Sequence, residues 1–222
     1  MTLRNALARR ATDHALTQGI SVSDENRHVE LDPESRRIHT HRLILRPWHI
    51  DDAVAACAIY GAPEVARWLC PALPETVDRS DMRRILRTWM VESDAAGLPL
   101  GRWAITGKHS GLVIGGVALL PLPPERSDLE IGWQVAPAMW GHGYGAEAGH
   151  AVAHQAFEKA GLSEVFAVVR PGNRRAVATA RRVGMEWVGE TTKYYGLSLQ
   201  VYRLRKADLD LPEPGCADVL LT

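Results

Sequence analysis

The chain of 222 residues carries no net charge, with 26 Lys+Arg against 26 Asp+Glu. That balance argues against a dedicated nucleic-acid binder, whose affinity draws on an excess of cations over the phosphate face. Cysteine is scarce: Cys57, Cys70 and Cys216 are odd in number and scattered, with no CxxC and no zinc spacing. Reduced thiols in a cytoplasmic protein follow as the expectation. No apolar run approaches the ~20 residues that a membrane helix needs, so no membrane partner is expected. The start has several arginines but lacks the apolar core of a secretory signal. Only four lysines stand beside 22 arginines, and no function follows from that bias.

What remains is a globular composition, 46% hydrophobic and 23% charged, in a length that suits one domain plus a tail. Residues 1–38 read as an N-terminal extension: a helix over Thr2–Gln18, then loop over Ser21–Arg37. Residues 39–208 read as the folded domain and 209–222 as a C-terminal tail. Within the domain, Arg42–Pro47 predicts a strand stopped by its proline. Helices follow to Tyr60 and from about Val77 to Ala96. Strands are predicted over 102–106, 112–120 and 128–135. A long helix spans Tyr144–Ala160, a strand 164–170 and a helix 173–183. Strands over 185–190 and 199–204 close the domain. This order predicts an α+β fold: a mixed, mostly antiparallel sheet with one central strand–helix–strand crossover, flanked by helices.

The most informative segment is Trp140-Gly-His-Gly-Tyr-Gly-Ala-Glu147. Gly141, Gly143 and Gly145 strip side chains from a turn entering a helix. Bare N–H groups and the positive end of the helix dipole then face one space, which suits a phosphate or pyrophosphate. Gly141, Gly143 and Ala146 also satisfy the dinucleotide fingerprint. However, Ala136–Met139 separates them from their strand, and no acid stands at the end of the next strand to hold a ribose. A dinucleotide-dependent oxidoreductase therefore ranks third.

Glu130-Ile-Gly-Trp-Gln-Val135, the glycine segment, Ala156-Phe-Glu158, Asn173 and Gly184-Met185 together resemble the GNAT superfamily of N-acetyltransferases, most of all the ribosomal-protein N-terminal acetyltransferase branch. The resemblance spans about Arg42 to Leu204. It implies acetyl-CoA as cosubstrate, with its pyrophosphate on the backbone of Gly141, His142, Gly143, Tyr144, Gly145 and Ala146. The backbone of Trp133, Gln134 and Val135 matches the strand that runs beside pantetheine. Asn173 matches the cofactor-contacting Asn, and Glu130 the carboxylate that serves many relatives as general base. Ala176 stands where the branch often has Ser, and Ala180 where other branches carry a Tyr general acid, so no acid is assigned. The implied reaction is direct acetyl transfer to a primary amine: a protein N-terminus, a lysine or a small molecule. A non-catalytic acyl-CoA-binding or sensor module on the same fold is the alternative. The oligomeric state stays open, a dimer being one option.

Other residues carry plainer readings. His150 and His154 have the i, i+4 spacing of a zinc pair, yet no third ligand is evident, so no metal is expected. With Glu147 and Glu158 they read as a solvated stripe. Trp48, Trp68, Trp89 and Trp103 read as core, with a substrate wall as the sharper option. Tyr194 and Tyr195 are candidates for a hydroxyl near the reacting centre.

Overall fold

The near-continuous apolar run over 112–120 calls for a sheet covered on both faces, and the computed structural model shows one. It describes residues 29–69, 72–74 and 78–209. Nine strands form one sheet: β1 (Glu30–Asp32), β2 (Arg37–His39), β3 (Leu43–Pro47), β4 (Gly101–Gly107), β5 (Val113–Pro121), β6 (Leu129–Val135), β7 (Glu164–Val169), β8 (Glu186–Thr191) and β9 (Leu199–Arg205). Their spatial order is β1-β2-β3-β4-β5-β6-β7-β9-β8. Every pair is antiparallel except β6 with β7. Five helices accompany them among the described residues: α1 (Ala53–Tyr60), α2 (Pro63–Leu69), α3 (Arg79–Ala96), α4 (Tyr144–Ala160) and α5 (Arg174–Val183). The α+β expectation holds, with α4 as the single crossover between parallel strands.

The two faces carry separate cores, because successive strand residues point to opposite sides. On β4, Trp103 and Ile105 enter the core under α4, with Ile131, Val152 and Phe157. Ala104 between them enters the other core, with Trp48, Tyr60, Met82, Leu86 and Trp89 of the α1 and α3 layer. The face of α4 against the sheet is mostly small: Ala148, Gly149, Ala151, Ala153 and Ala156 are all buried. Small side chains let the helix axis approach the strands closely and hold its first turn at a fixed height above β6.

Three expectations change. The loop expected over Ser21–Arg37 is corrected in its described part: β1 and β2 form an antiparallel hairpin that extends the sheet beyond β3. Its strands are three residues each, too short for alternation to show. The short helix α2 also went unpredicted, since seven residues span barely two turns. Thirdly, Glu147 is not on a solvated stripe. Its carboxylate accepts from Thr40 Oγ1 (2.6 Å), Arg42 N (2.8 Å) and Arg42 Nε (2.7 Å), with the side chain only 11% exposed. Glu158 is exposed as expected and pairs with Lys206. The helix expected over Thr2–Gln18, Cys70, Cys216 and the tail from Asp210 lie outside the described residues.

Candidate active site

Strands β6 and β7 register at a single pair, Glu130 with Phe166. Beyond it they part, while β6 stays paired with β5 along its whole length. The parting opens a cleft of about 590 Å³ between β6, β7, the start of α4 and α5. Ala136 N–H donates to Ile114 O at 2.9 Å. Antiparallel strands alternate bonded and unbonded pairs, so Gln134 and Gly132 turn their main chain to β5. Trp133 and Val135 thereby turn theirs to the cleft. Consistent with this, Val135 O accepts from Trp140 Nε1 at 2.8 Å. Among the three strand residues singled out by sequence, Gln134 is therefore different. Its main chain is spent on β5, and its side chain lies on the same face as Glu130, lining the cleft and accepting from the Tyr60 hydroxyl at 3.3 Å.

The glycine segment rises from β6 through a 3₁₀ turn, Pro137–Met139. Gly141 and Gly143 have φ of 83° and 77°, a left-handed conformation in which a Cβ would crowd the following carbonyl. Gly143 is the N-cap of α4, and no side chain caps that end. The first-turn N–H groups of Tyr144, Gly145 and Ala146 thus sit at an uncapped helix start beside the cleft. Gly141, Gly143, Tyr144, Gly145 and Ala146 all line it. The His142 side chain does not: its ring is exposed, with Nδ1 near the carbonyls of Met139 and Trp140, and stacks on Tyr144. Across the opening, Asn173 lines the cleft and caps α5, its Oδ1 accepting from Ala176 N at 3.2 Å. Arg175 lies 4.1 Å over the Trp140 ring and adds positive charge to this rim.

Glu130 sits at the other end of β6, where the strands part. Its Oε2 accepts from the Tyr195 hydroxyl at 2.8 Å. Burial pushes its carboxyl up to about 7, against the opposing pull of the Tyr195 hydroxyl and the Val168 amide. An acid that titrates near neutrality is suited to proton transfer. The neighbouring Asp128 behaves oppositely: hydrogen bonds from Tyr194 and Lys193 hold it below the usual carboxylate range. On the same face as Glu130, Trp68, Trp89, Tyr60 and Arg102 line the cleft.

A family model described as an acetyltransferase (GNAT) domain matches residues 42–186, more than half of the chain. This protein belongs to the GNAT acetyltransferase family. The uncharacterized N-acetyltransferase YoaA of Bacillus subtilis is 26% identical over 71% of this chain and 86% of its own length. Among solved structures, RimJ of Mycobacterium smegmatis, in complex with CoA-disulfide, is similar with a TM-score of 0.63. Its identity is 18%, over 77% of this chain and 85% of that one. The microcin C7 self-immunity acetyltransferase MccE, in complex with acetyl-CoA and AMP, has a TM-score of 0.61 and 16% identity, over 74% of this chain and 92% of that one. At such identities these two structures establish the fold of this GNAT chain.

Sequence reasoning did not tie Tyr195 to Glu130 or bring Arg102 to the cleft; Trp68 and Trp89 line it, as the sharper reading of a substrate wall expected. Trp48, Trp89 and Trp103 are core as expected, at 3%, 9% and 1% exposure, yet Trp89 also reaches the cleft. A signal for Tyr195 existed: Tyr195-Gly196 lies between two strands where a tight turn prefers Asn-Gly or Asp-Gly. Among the described residues, no group of three or more His, Cys, Asp and Glu is placed to hold a metal ion. No helix there is long and apolar enough to cross a membrane.

Proposed function

We propose that this GNAT protein is an acetyl-CoA-dependent N-acetyltransferase that passes acetyl directly to a primary amine in the cytoplasm. One observation carries the reading: the cleft along β6 has an uncapped glycine-rich helix start at one end and a carboxyl titrating near 7 at the other. The glycine end fits a pyrophosphate, since main-chain amides and the helix dipole converge there without a competing cap. A complex with acetyl-CoA in a neighbour of the same fold supports the same assignment.

In this reading the amides of residues 141–146 hold the pyrophosphate, His142 contributing through its main chain only. Acetyl-CoA supplies the activated acetyl group: as the amine nitrogen bonds to the acetyl carbon, the C–S bond of the thioester breaks and CoA leaves as a thiolate, whose pKa, like that of a cysteine thiol at about 8.5, makes it a tolerable leaving group that water can protonate. The main-chain N–H groups of Trp133 and Val135 face the cleft where charge develops on the acetyl oxygen and stabilise it. Glu130, ionised above about pH 7, takes the proton of the incoming ammonium. Its position on the strand beside the amides brings base and donor into one geometry, so no covalent enzyme intermediate is required. The acceptor enters over Tyr60, Trp68 and Trp89, which favours an amine carried on an apolar or aromatic body.

The test is an acetyl-CoA-dependent screen over peptides, small amines and matching alcohols, read by thiol release. Turnover with an amine above its matching alcohol is expected. Tight acetyl-CoA binding without turnover on anything would replace this reading with that of a binding module. Faster turnover on the alcohols would make it an O-acetyltransferase.

A further inference from the structure

The connection between β8 and β9 breaks a rule of turn chemistry. Leu197 N–H donates to Tyr194 O at 3.1 Å and closes a four-residue turn. Its central residues, Tyr195 and Gly196, have φ of 56° and 66°. Positive φ at both central positions is the pattern of a type I′ turn, which favours Asn, Asp or Gly at the first of them. A bulky aromatic residue is disfavoured there, because its Cβ crowds the backbone. Such an outlier persists where the surroundings over-determine it, and it marks a place where function competes with local preference.

The surroundings are visible on both sides of Tyr195. Tyr194 is buried with Leu122 and Leu199, and its hydroxyl donates to Asp128 at 2.7 Å. Lys193 Nζ lies 3.1 Å from Asp128 and 3.5 Å from Glu125. These contacts pin the turn to the loop between β5 and β6. From that anchor, the left-handed step carries the next side chain to Glu130, where the Tyr195 hydroxyl donates to Oε2 at 2.8 Å. An unstrained Asn at this position would be too short to place a phenolic donor there.

We infer that Tyr195 is a positioning residue, held in a strained turn so that its hydroxyl orients the Glu130 carboxylate and favours its ionised form. This rests on the reading of Glu130 as the base. The other charged or titratable groups lining the cleft are Tyr60 of α1, Glu64 of α2, Arg102 of β4, Tyr144 of α4, Arg170 after β7, and Arg175 and Arg182 of α5. The main-chain N–H of Val168 on β7 also pulls the Glu130 carboxyl down. A carboxylate that loses its hydroxyl donor takes up a proton more readily.

Two variants separate strain from chemistry. Tyr195→Phe keeps the ring and the turn and removes only the hydroxyl. Tyr195→Asn removes the hydroxyl and relieves the turn. The ionisation of Glu130 is read by infrared titration of the protonated-carboxyl band, assigned by its loss in Glu130→Gln. In both Tyr195 variants the midpoint is expected to rise by about half to one pH unit. Turnover with the best amine of the screen is expected to fall about 2- to 6-fold at pH 7, as the smaller ionised fraction dictates, and to recover at higher pH, with acetyl-CoA affinity unchanged. The Asn variant is expected to melt higher than wild type despite its lower rate. An unchanged midpoint and rate in Tyr195→Phe, while Glu130→Gln loses turnover, overturns the positioning role and leaves the base standing. A Glu130→Gln variant with wild-type turnover overturns the base itself, and the role of Tyr195 in transfer with it.

Discussion

At the Val135 end of β6 the site is made of main chain, and at the Glu130 end it is made of side chains. The first end consists of amides presented by residues 141–146 and by Trp133 and Val135. It is held by contacts that leave little freedom: Trp140 on Val135 O, Glu147 on Thr40 and Arg42, and Asn173 capping α5. The second end draws Glu130 from β6, Tyr195 from the β8–β9 turn, Tyr60 from α1, Trp89 from α3 and Arg102 from β4. A pyrophosphate offers the same charge in every reaction, so a backbone cradle suffices for it. In the proposed reading the acceptor is chosen among amines, which takes side chains, and these can change without disturbing the main-chain end.

The comparison breaks most sharply at Glu130. Glu130→Gln is expected to lower turnover by about 10²–10⁴-fold at neutral pH while leaving acetyl-CoA affinity intact. For wild type the rate should rise with pH through about 7, where the carboxyl ionises. Stability should move the other way. The folded carboxyl titrates near 7 and the unfolded one near 4.5. Between those values the folded state holds a proton that the unfolded state has lost, so the contribution of Glu130 to stability falls as pH rises. Glu130→Gln should then melt higher than wild type at pH 8. A variant that is slower and no more stable at that pH would refute the raised titration of Glu130.

At the other end, Gly143→Val is expected to weaken acetyl-CoA binding at least tenfold with little change in the titration of Glu130. A Cβ at φ 77° costs roughly 1–2 kcal/mol in backbone strain, and the branched side chain narrows the approach to the amides. Wild-type affinity in a folded variant would dismiss the loop as the pyrophosphate site. A smaller effect is expected from Glu147→Ala, which strands Thr40 and Arg42 without their acceptor. Stability should drop by about 1–3 kcal/mol in thermal or denaturant unfolding, and acetyl-CoA affinity should fall a few-fold as the start of α4 loosens. Equal stability would show that the Glu147 anchor is dispensable. The smallest effect belongs to His142→Ala. The ring is exposed and away from the cleft, so acetyl-CoA affinity measured by calorimetry should stay within about twofold. A larger loss would move His142 into the binding set.

Legibility in the sequence follows the same division. The strand over 129–135, the glycine loop and the helix over 144–160 were readable because each depends on neighbours in the chain: period-two alternation, φ freedom at Gly141 and Gly143, and a helical stripe of Ala and Val. The β1–β2 hairpin was not readable, since three-residue strands gain their stability from the edge they join. Glu147 was misread for a related reason. Helical spacing put it with His150, His154 and Glu158, but the turn before β3 comes down on its carboxylate from 105 residues away.

The sequence by itself determined the order of elements from β3 onward apart from α2, the α+β class and the place of the glycine-rich helix start, because these are local consequences of glycine, alternation and helical period. Only the tertiary structure decided that β6 and β7 part after Glu130, that Trp133 and Val135 rather than Gln134 turn their amides to the cleft, and that Tyr195 reaches Glu130. The physical reason is one of range. Desolvation, ladder phase and a hydroxyl 65 residues distant act across the fold, and a carboxyl on an alternating strand reveals its proton affinity only once its neighbours have been placed around it.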